Sequence, residues 1–283
     1  MKDLQRIAAH YFDNLDNLTY TPDAFSRFKH GSRRYAQSFG QELAAALVAT
    51  PAFERLAQEG QRRKIIVMPP PYINVPTAGY YLASAFFTAL NQALAARGGP
   101  HAWWAKIYRR KSYFTDYGAM SEQERNATLG DEIFHVDGEL LRHNLCLFID
   151  DIRITGAHEQ RIVKMLQHHG WDAYHDCYFL FYAQLACGET SPIIENLLNY
   201  HYVKDLTAVS EIIREDGFCL NTRVLKFIFA QPTTEFARFL EAHYAVLSEP
   251  LYSNFINNGY QLIPQFRNNF AYLQKLLGKD RER

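Results

Sequence analysis

The sequence predicts an α/β fold, with a parallel-sheet core and an α-helical carboxyl-terminal extension. Three observations carry that expectation. Apolar runs without helical period, at residues 65–68, 145–149 and 178–182, are short enough for strands covered on both faces. Segments of helical spacing separate them, so strand, helix and strand alternate over residues 65–185, as in a sheet wound by crossovers. From Ser191 onward the pattern turns helical: Ile193, Ile194, Leu197 and Leu198, then Ile212 and Ile213, then Phe236, Phe239, Leu240 and Tyr244. A chain of 283 residues, 48% of them apolar, suffices for one substantial core with an extension. The expected organisation is a helical segment packing on the core over residues 1–60, the α/β core over 61–190 and the helical extension over 191–283.

Taken in order, the opening stretch reads as helical, and Thr21-Pro22-Asp23 supplies a cap and a first-turn proline for another helix. After Gly31-Ser32, Tyr35, Phe39, Leu43 and Leu47 recur every four residues and mark a core-facing helix. Arg27, Lys29, Arg33 and Arg34 cluster ahead of it, either as a solvated helix start or as a contact to a phosphate or product. Residues 65–68 form the first core strand, and Pro69-Pro70-Pro71 ends it because proline neither donates to a ladder nor continues it. The loop that follows carries Asn74 and Thr77, two candidate ligand contacts, and enters a long apolar helix. Gly98-Gly99-Pro100 breaks that helix, and residues 102–108 read as an aromatic-rich strand. From Arg109, Arg110 and Lys111 to Gly118, basic and aromatic residues interleave without a clean period. Such a stretch suits a loop that closes over a polyanion, or a basic turn with packed aromatics. A capped helix start at Ser121 and an added strand over 132–136 come next, and residues 273–277 form the last helix.

Residues 144–170 organise the rest. The apolar run 145–149 ends in two adjacent carboxylates, Asp150 and Asp151, and a helix with Ile162, Val163 and Leu166 on one face runs to a stop at Gly170. Between them lies a loop at the carboxyl end of a strand and the amino end of a helix. Unpaired amides there, aided by the helix dipole, favour an anion such as phosphate. The Thr155 hydroxyl adds a donor, and Gly156 permits close backbone approach. The acid pair accepts hydrogen bonds from vicinal hydroxyls or binds Mg²⁺, directly or through water. Diol and phosphate recognition side by side point to a phosphorylated sugar.

The sequence Phe148-Ile149-Asp150-Asp151-Ile152-Arg153-Ile154-Thr155-Gly156-Ala157, after an apolar strand, resembles the PRPP-binding signature of type I phosphoribosyltransferases. The resemblance implies that Asp150 and Asp151, the catalytic carboxylates, face the ribose hydroxyls, and that the loop Ile154, Thr155, Gly156, Ala157 and His158 holds the 5′-phosphate. It departs from the family at Ile154, where a polar residue is usual, and at His158, where Thr or Ser is common; a protonated imidazole would supply positive charge. The resemblance further implies a Mg²⁺-dependent transfer from PRPP to a small nitrogenous acceptor. Arg109, Arg110 and Lys111 would lie in a flexible loop near the leaving group, and the helical extension would serve as a hood over the acceptor or simply pack against the core. The rival reading is a non-catalytic sensor that keeps the PRPP or nucleotide site. Either reading needs the acid pair beside the backbone pocket, not buried in unrelated salt links.

Composition excludes other classes. Thirty basic residues balance thirty acidic ones, so no broad capture of nucleic acid or an anionic membrane is expected. The amino terminus lacks a secretory apolar run, and residues 80–96, the most apolar candidate span, contain Ser84, Thr88, Asn91 and Gln92 and read as a buried helix. Cys146, Cys177, Cys187 and Cys219 lack CxxC spacing and suit reduced thiols in a cytoplasmic protein. The eleven histidines form no HExxH, and no GxSxG, Walker A or GxGxxG sequence occurs. A homodimer is left open.

Overall fold

Seven strands and eleven helices make up the described part of the computed structural model, residues 4–109, 134–170, 176–187 and 190–279. The strands are β1 (Gln5–Phe12), β2 (Ile65–Met68), β3 (Ala102–Trp104), β4 (Tyr108–Arg109), β5 (Phe134–His135), β6 (Leu145–Arg153) and β7 (Cys177–Leu185). Five of them form a sheet in the order β1-β7-β6-β2-β3, parallel throughout, while β4 and β5 make a separate antiparallel pair. The helices of the first half are α1 (Pro22–Lys29), α2 (Arg33–Val48), α3 (Pro51–Glu59), α4 (Ala78–Ala96), α5 (Gly138–Leu141) and α6 (Ala157–His168). The second half carries α7 (Pro192–Asn199), α8 (Leu206–Glu215), α9 (Thr222–Phe229), α10 (Thr233–Asn257) and α11 (Arg267–Leu276).

Strand alternation explains why β6 reads as an unbroken apolar run. Leu147 and Ile149 join the core formed with α1, α2 and α4, where Phe28, Phe39, Leu43, Leu82 and Phe86 are buried. Cys146 and Phe148 point to the opposite face and pack on Ile162, Val163 and Leu166 of α6. With both faces covered, neither parity tolerates a polar side chain until the strand emerges at Asp150. Helices α2 and α4 approach closely at Gly40, where an added β-carbon would lie 2.6 Å from both Ala85 Cβ and the Phe86 nitrogen. A third core, including Ile212, Leu225, Phe229, Phe236, Leu240, Phe255, Phe266 and Leu273, belongs to the carboxyl-terminal helices. The long helix α10 is kinked at His243 and carries Pro250 inside it. Among the described residues no helix is long and apolar enough to cross a membrane.

The opening stretch departs from the helical expectation. Gln5–Phe12 is a strand, parallel to β7, with Gln5 opposite Tyr178 and Phe12 opposite Leu185. Its alanines and short length carry no decisive period, and a seven-residue register with β7 overrides their helical preference. Ile7 and Ala9 pack on one core and Ala8 joins the other. The aromatic strand expected over 102–108 is also divided, its first part joining the sheet and Tyr108–Arg109 pairing with Phe134–His135. Lys106 lies between, its ammonium donating to the Ile73 carbonyl at 2.6 Å and sitting over the Tyr72 and Tyr108 rings. The strand expected over 132–136 is present at Phe134–His135, and the capped helix start at Ser121 lies outside the described residues.

Candidate functional site

The acid pair emerges at the carboxyl end of β6, and the two carboxylates separate at once. Asp150 accepts from His158 Nδ1 at 2.6 Å, closing a link within the loop itself, while the His158 ring meets Phe134 edge-on. Asp151 turns the other way, is buried, and accepts from Lys29 Nζ at 2.6 Å. The Asp150 link stays inside the motif; the Asp151 link brings in a residue from α1.

Beyond β6 the chain makes a tight entry into α6. Gly156 precedes the helix at φ 71°, a left-handed conformation that disfavours a β-carbon, and such a carbon would lie 3.1 Å from Arg153 Nη2. The Thr155 hydroxyl accepts from the Ala157 amide at 3.3 Å and keeps its own proton for donation. Ile154 turns its side chain into the core, so only its backbone faces the loop. The hydrophobic residue at a usually polar position is thereby explained: its side chain anchors the loop.

A second layer braces this entry. Glu159, in the first turn of α6, is 4% exposed and accepts two hydrogen bonds from Arg6, both at 2.7 Å, and one from Arg153 at 2.9 Å. Burial alone would raise its pKa, but the bonds to Arg6 and Arg153 outweigh it and hold the carboxyl below its usual range. The sequence reading missed Arg6, Arg153 and Glu159 as a unit. An acidic residue in the first helical turn three positions after Gly156 was the available signal, but Arg6 is 153 positions away.

On the Asp151 side lies a cavity of about 290 Å³. Its lining joins Asp151 and Lys29 to Thr77 and Ala78 at the start of α4, Arg109 from β4, and Arg223 and Lys226 from α9. Tyr200, Phe227 and Phe266 supply aromatic walls. Four basic side chains and one carboxylate thus line the cavity, and Glu195 lies 3.6 Å from Lys29. The Thr77 hydroxyl is buried with no hydrogen-bond partner among the described residues. The carboxyl-terminal helices are fastened over this end of the sheet by the loop after β2. Val75 is fully buried in their core, its amide donates to Asn258 at 2.9 Å, and Thr222 donates to the Pro76 carbonyl at 2.9 Å.

Of the residues singled out in the sequence, Asp151, Thr77 and Arg109 meet in the cavity lining. Asp150, Thr155, Gly156, Ala157 and His158 occupy the adjoining loop. Asn74 departs from its expected role: its side-chain amide donates to the Asn257 carbonyl at 2.5 Å and joins the loop to α10. Arg110 and Lys111 lie outside the described residues. The basic cluster before α2 divides by function. Arg27 and Arg34 both pair with the buried Asp216, at 2.8 and 3.0 Å, and only Lys29 enters the cavity.

The donor set at the acid pair does not suit a magnesium ion held on it. Asp151 already carries an ammonium at 2.6 Å and Asp150 an imidazole at the same distance. Magnesium takes six oxygen ligands in near-octahedral geometry, one or two of them carboxylates, and the carboxylate oxygens Asp150 Oδ2 and Asp151 Oδ2 are here taken by nitrogen donors.

Comparison with known families follows the same line. The comparison with curated proteins finds no match. A family model described as PRTase ComF-like matches residues 4–273, a span that includes β1, the acid pair, the loop before α6 and the helices that roof the cavity. The chain therefore belongs to the PRTase ComF-like family, a phosphoribosyltransferase-type family.

Proposed function

We infer that the protein transfers the phosphoribosyl group of PRPP to a nitrogenous, nucleobase-like acceptor with release of pyrophosphate, or runs the reverse reaction. The observation that carries this reading is the juxtaposition at one strand end of Asp150–Asp151, the left-handed Gly156 before α6, and a cavity with four basic side chains. In this reading the loop amides and the Thr155 hydroxyl hold the 5′-phosphate, and the carboxylates of Asp150 and Asp151 accept from the ribose hydroxyls. Arg109, Arg223 and Lys226 face the pyrophosphate. The acceptor nitrogen forms a bond to the anomeric carbon as the bond to the pyrophosphate oxygen breaks. The bonding pair leaves with pyrophosphate, and the acceptor's proton goes to solvent. Positive charge develops on the ribose in the transition state, and the fixed cations offset the charge of the departing group. Tyr200, Phe227 and Phe266 provide apolar faces for a planar acceptor.

A second reading, a non-catalytic PRPP or nucleotide sensor, is favoured by one observation: Asp151 is already engaged by the buried Lys29. Two measurements separate these outcomes. Titration calorimetry in Mg²⁺ buffer should register PRPP binding that Asp151→Asn weakens; no binding overturns both readings. Incubation with PRPP and a panel of nucleobases should release pyrophosphate. Tight PRPP binding without release from any acceptor of the panel would favour the sensor.

A further inference from the structure

Lys29 reaches the cavity from α1, outside the strand and loop that carry the signature. Its ammonium lies 2.6 Å from Asp151 Oδ2 and 3.6 Å from Glu195 Oε1, and 5.5 Å from the centre of the Phe25 ring. The Lys29 and Asp151 side chains are 8% and 10% exposed, so each depends on the other for its charge to be tolerated. The backbone beneath is fixed as well. The fully buried Asn221 donates to the Lys29 carbonyl at 3.3 Å. Ser26 donates to the Asn199 carbonyl at 2.7 Å and accepts from the Val203 amide at 3.1 Å, which holds α1 against the carboxyl-terminal helices. The position is therefore built into the fold.

A divalent ion held directly on Asp151 Oδ2 would compete with this ammonium for the same oxygen. Two like charges at that separation repel strongly in a partly buried site. An ammonium, however, has three donors. Asp151 and, more loosely, Glu195 engage two, and the third remains for an oxygen of a ligand in the cavity that Lys29 lines.

We propose that Lys29 is the resident cation of this site: its ammonium bridges Asp151 and the oxygens of the phosphoribosyl ligand in place of Mg²⁺, so that PRPP binds without a divalent ion. Arg109, Arg223 and Lys226 line the same cavity. The inference rests on the phosphoribosyl reading above and assigns a cation to it.

The test is titration calorimetry of PRPP into the full chain, once with Mg²⁺ and once with EDTA, for the wild type and for Lys29→Met. The wild type should show dissociation constants within about threefold of each other in the two buffers. Lys29→Met should bind at least about tenfold more weakly in EDTA, as expected for losing a charge-assisted hydrogen bond, and should regain affinity when Mg²⁺ takes the vacated place. A purely structural lysine would give no such rescue by metal. Wild-type binding that appears only with Mg²⁺ overturns the proposal and leaves the phosphoribosyl reading standing, as does a Lys29→Met variant that matches the wild type in EDTA. Absence of PRPP binding in both buffers instead overturns the phosphoribosyl reading itself. Should Lys29→Met fail to fold, the two wild-type titrations decide alone.

Discussion

The two ends of the parallel sheet handle charge in opposite ways. At the amino ends of the strands, Arg55 and Arg63 meet Glu59 and Asp176 in a matched cluster: Arg55 pairs with Glu59 at 2.5 Å and Asp176 at 2.7 Å, and Arg63 pairs with both acids. At the carboxyl ends, Lys29, Arg109, Arg223 and Lys226 line a cavity with one carboxylate among them. Both ends belong to a chain whose formal charge is zero. The difference teaches that charge balance is a local property here. One end is closed by its own residues and holds the fold; the other gathers basic side chains around an open cavity whose lining suits an anionic ligand.

The sharpest way to break the comparison is at the matched end. Asp176→Ala removes one of the two acids that both guanidiniums share, and because Glu59 remains and those groups are roughly a quarter exposed the cost should be about 2–3 kcal/mol. Urea denaturation measures it, and PRPP affinity of the folded fraction should be unchanged. An equal loss of affinity would show that the two ends are not independent.

Next in size is Glu159, a matched charge at the cavity end. Glu159→Gln should destabilise by about 2 kcal/mol, since the amide still accepts hydrogen bonds but no longer neutralises Arg6 and Arg153. Because the folded carboxyl titrates below its usual range, its stabilisation is complete above the unfolded value of about 4.3 and is lost as pH falls through the lower folded value. The difference in urea midpoint between wild type and Glu159→Gln should therefore shrink in acid. A difference that stays constant down to the acid transition would remove Glu159 from that role.

Smaller effects sharpen the contrast. Gly156→Ala forces a β-carbon into the left-handed region and should cost about 1–2 kcal/mol, read as a lowered melting temperature, together with weaker binding of ribose 5-phosphate. Arg223→Met should lower PRPP affinity about tenfold by titration calorimetry, where Asp176→Ala should leave that affinity unchanged. Asn74→Ala loosens the joint between the loop after β2 and α10, at a cost of about 1 kcal/mol. Faster amide exchange at Asn74 and Val75, with slow exchange kept in β6, would locate the loss at that joint.

Much of the fold was legible because its causes are local. The run 145–149, the adjacent acids, the Thr-Gly turn and the period of α6 identify strand, loop and helix within one short segment. The first strand resisted for the converse reason. Gln5–Phe12 has no period of its own to announce it, and it becomes a strand because β7 lies beside it. The same division runs through the site. Asp150, Thr155, Gly156 and His158 interact among near neighbours in the chain, whereas the partners of Asp151 and Glu159 come from Lys29 and Arg6, more than a hundred positions away.

What the sequence alone determined is therefore the signature: an acid pair ending an apolar strand, and a glycine turn opening a helix. Those features depend on the spacing of residues within one segment. The tertiary structure alone decided that one aspartate faces an imidazole and the next an ammonium, that Ile154 anchors and Asn74 ties, and that four distant cations share one cavity. Strand alternation sends successive side chains to opposite sides, and what each side contains depends on which remote elements the sheet and its helices bring there.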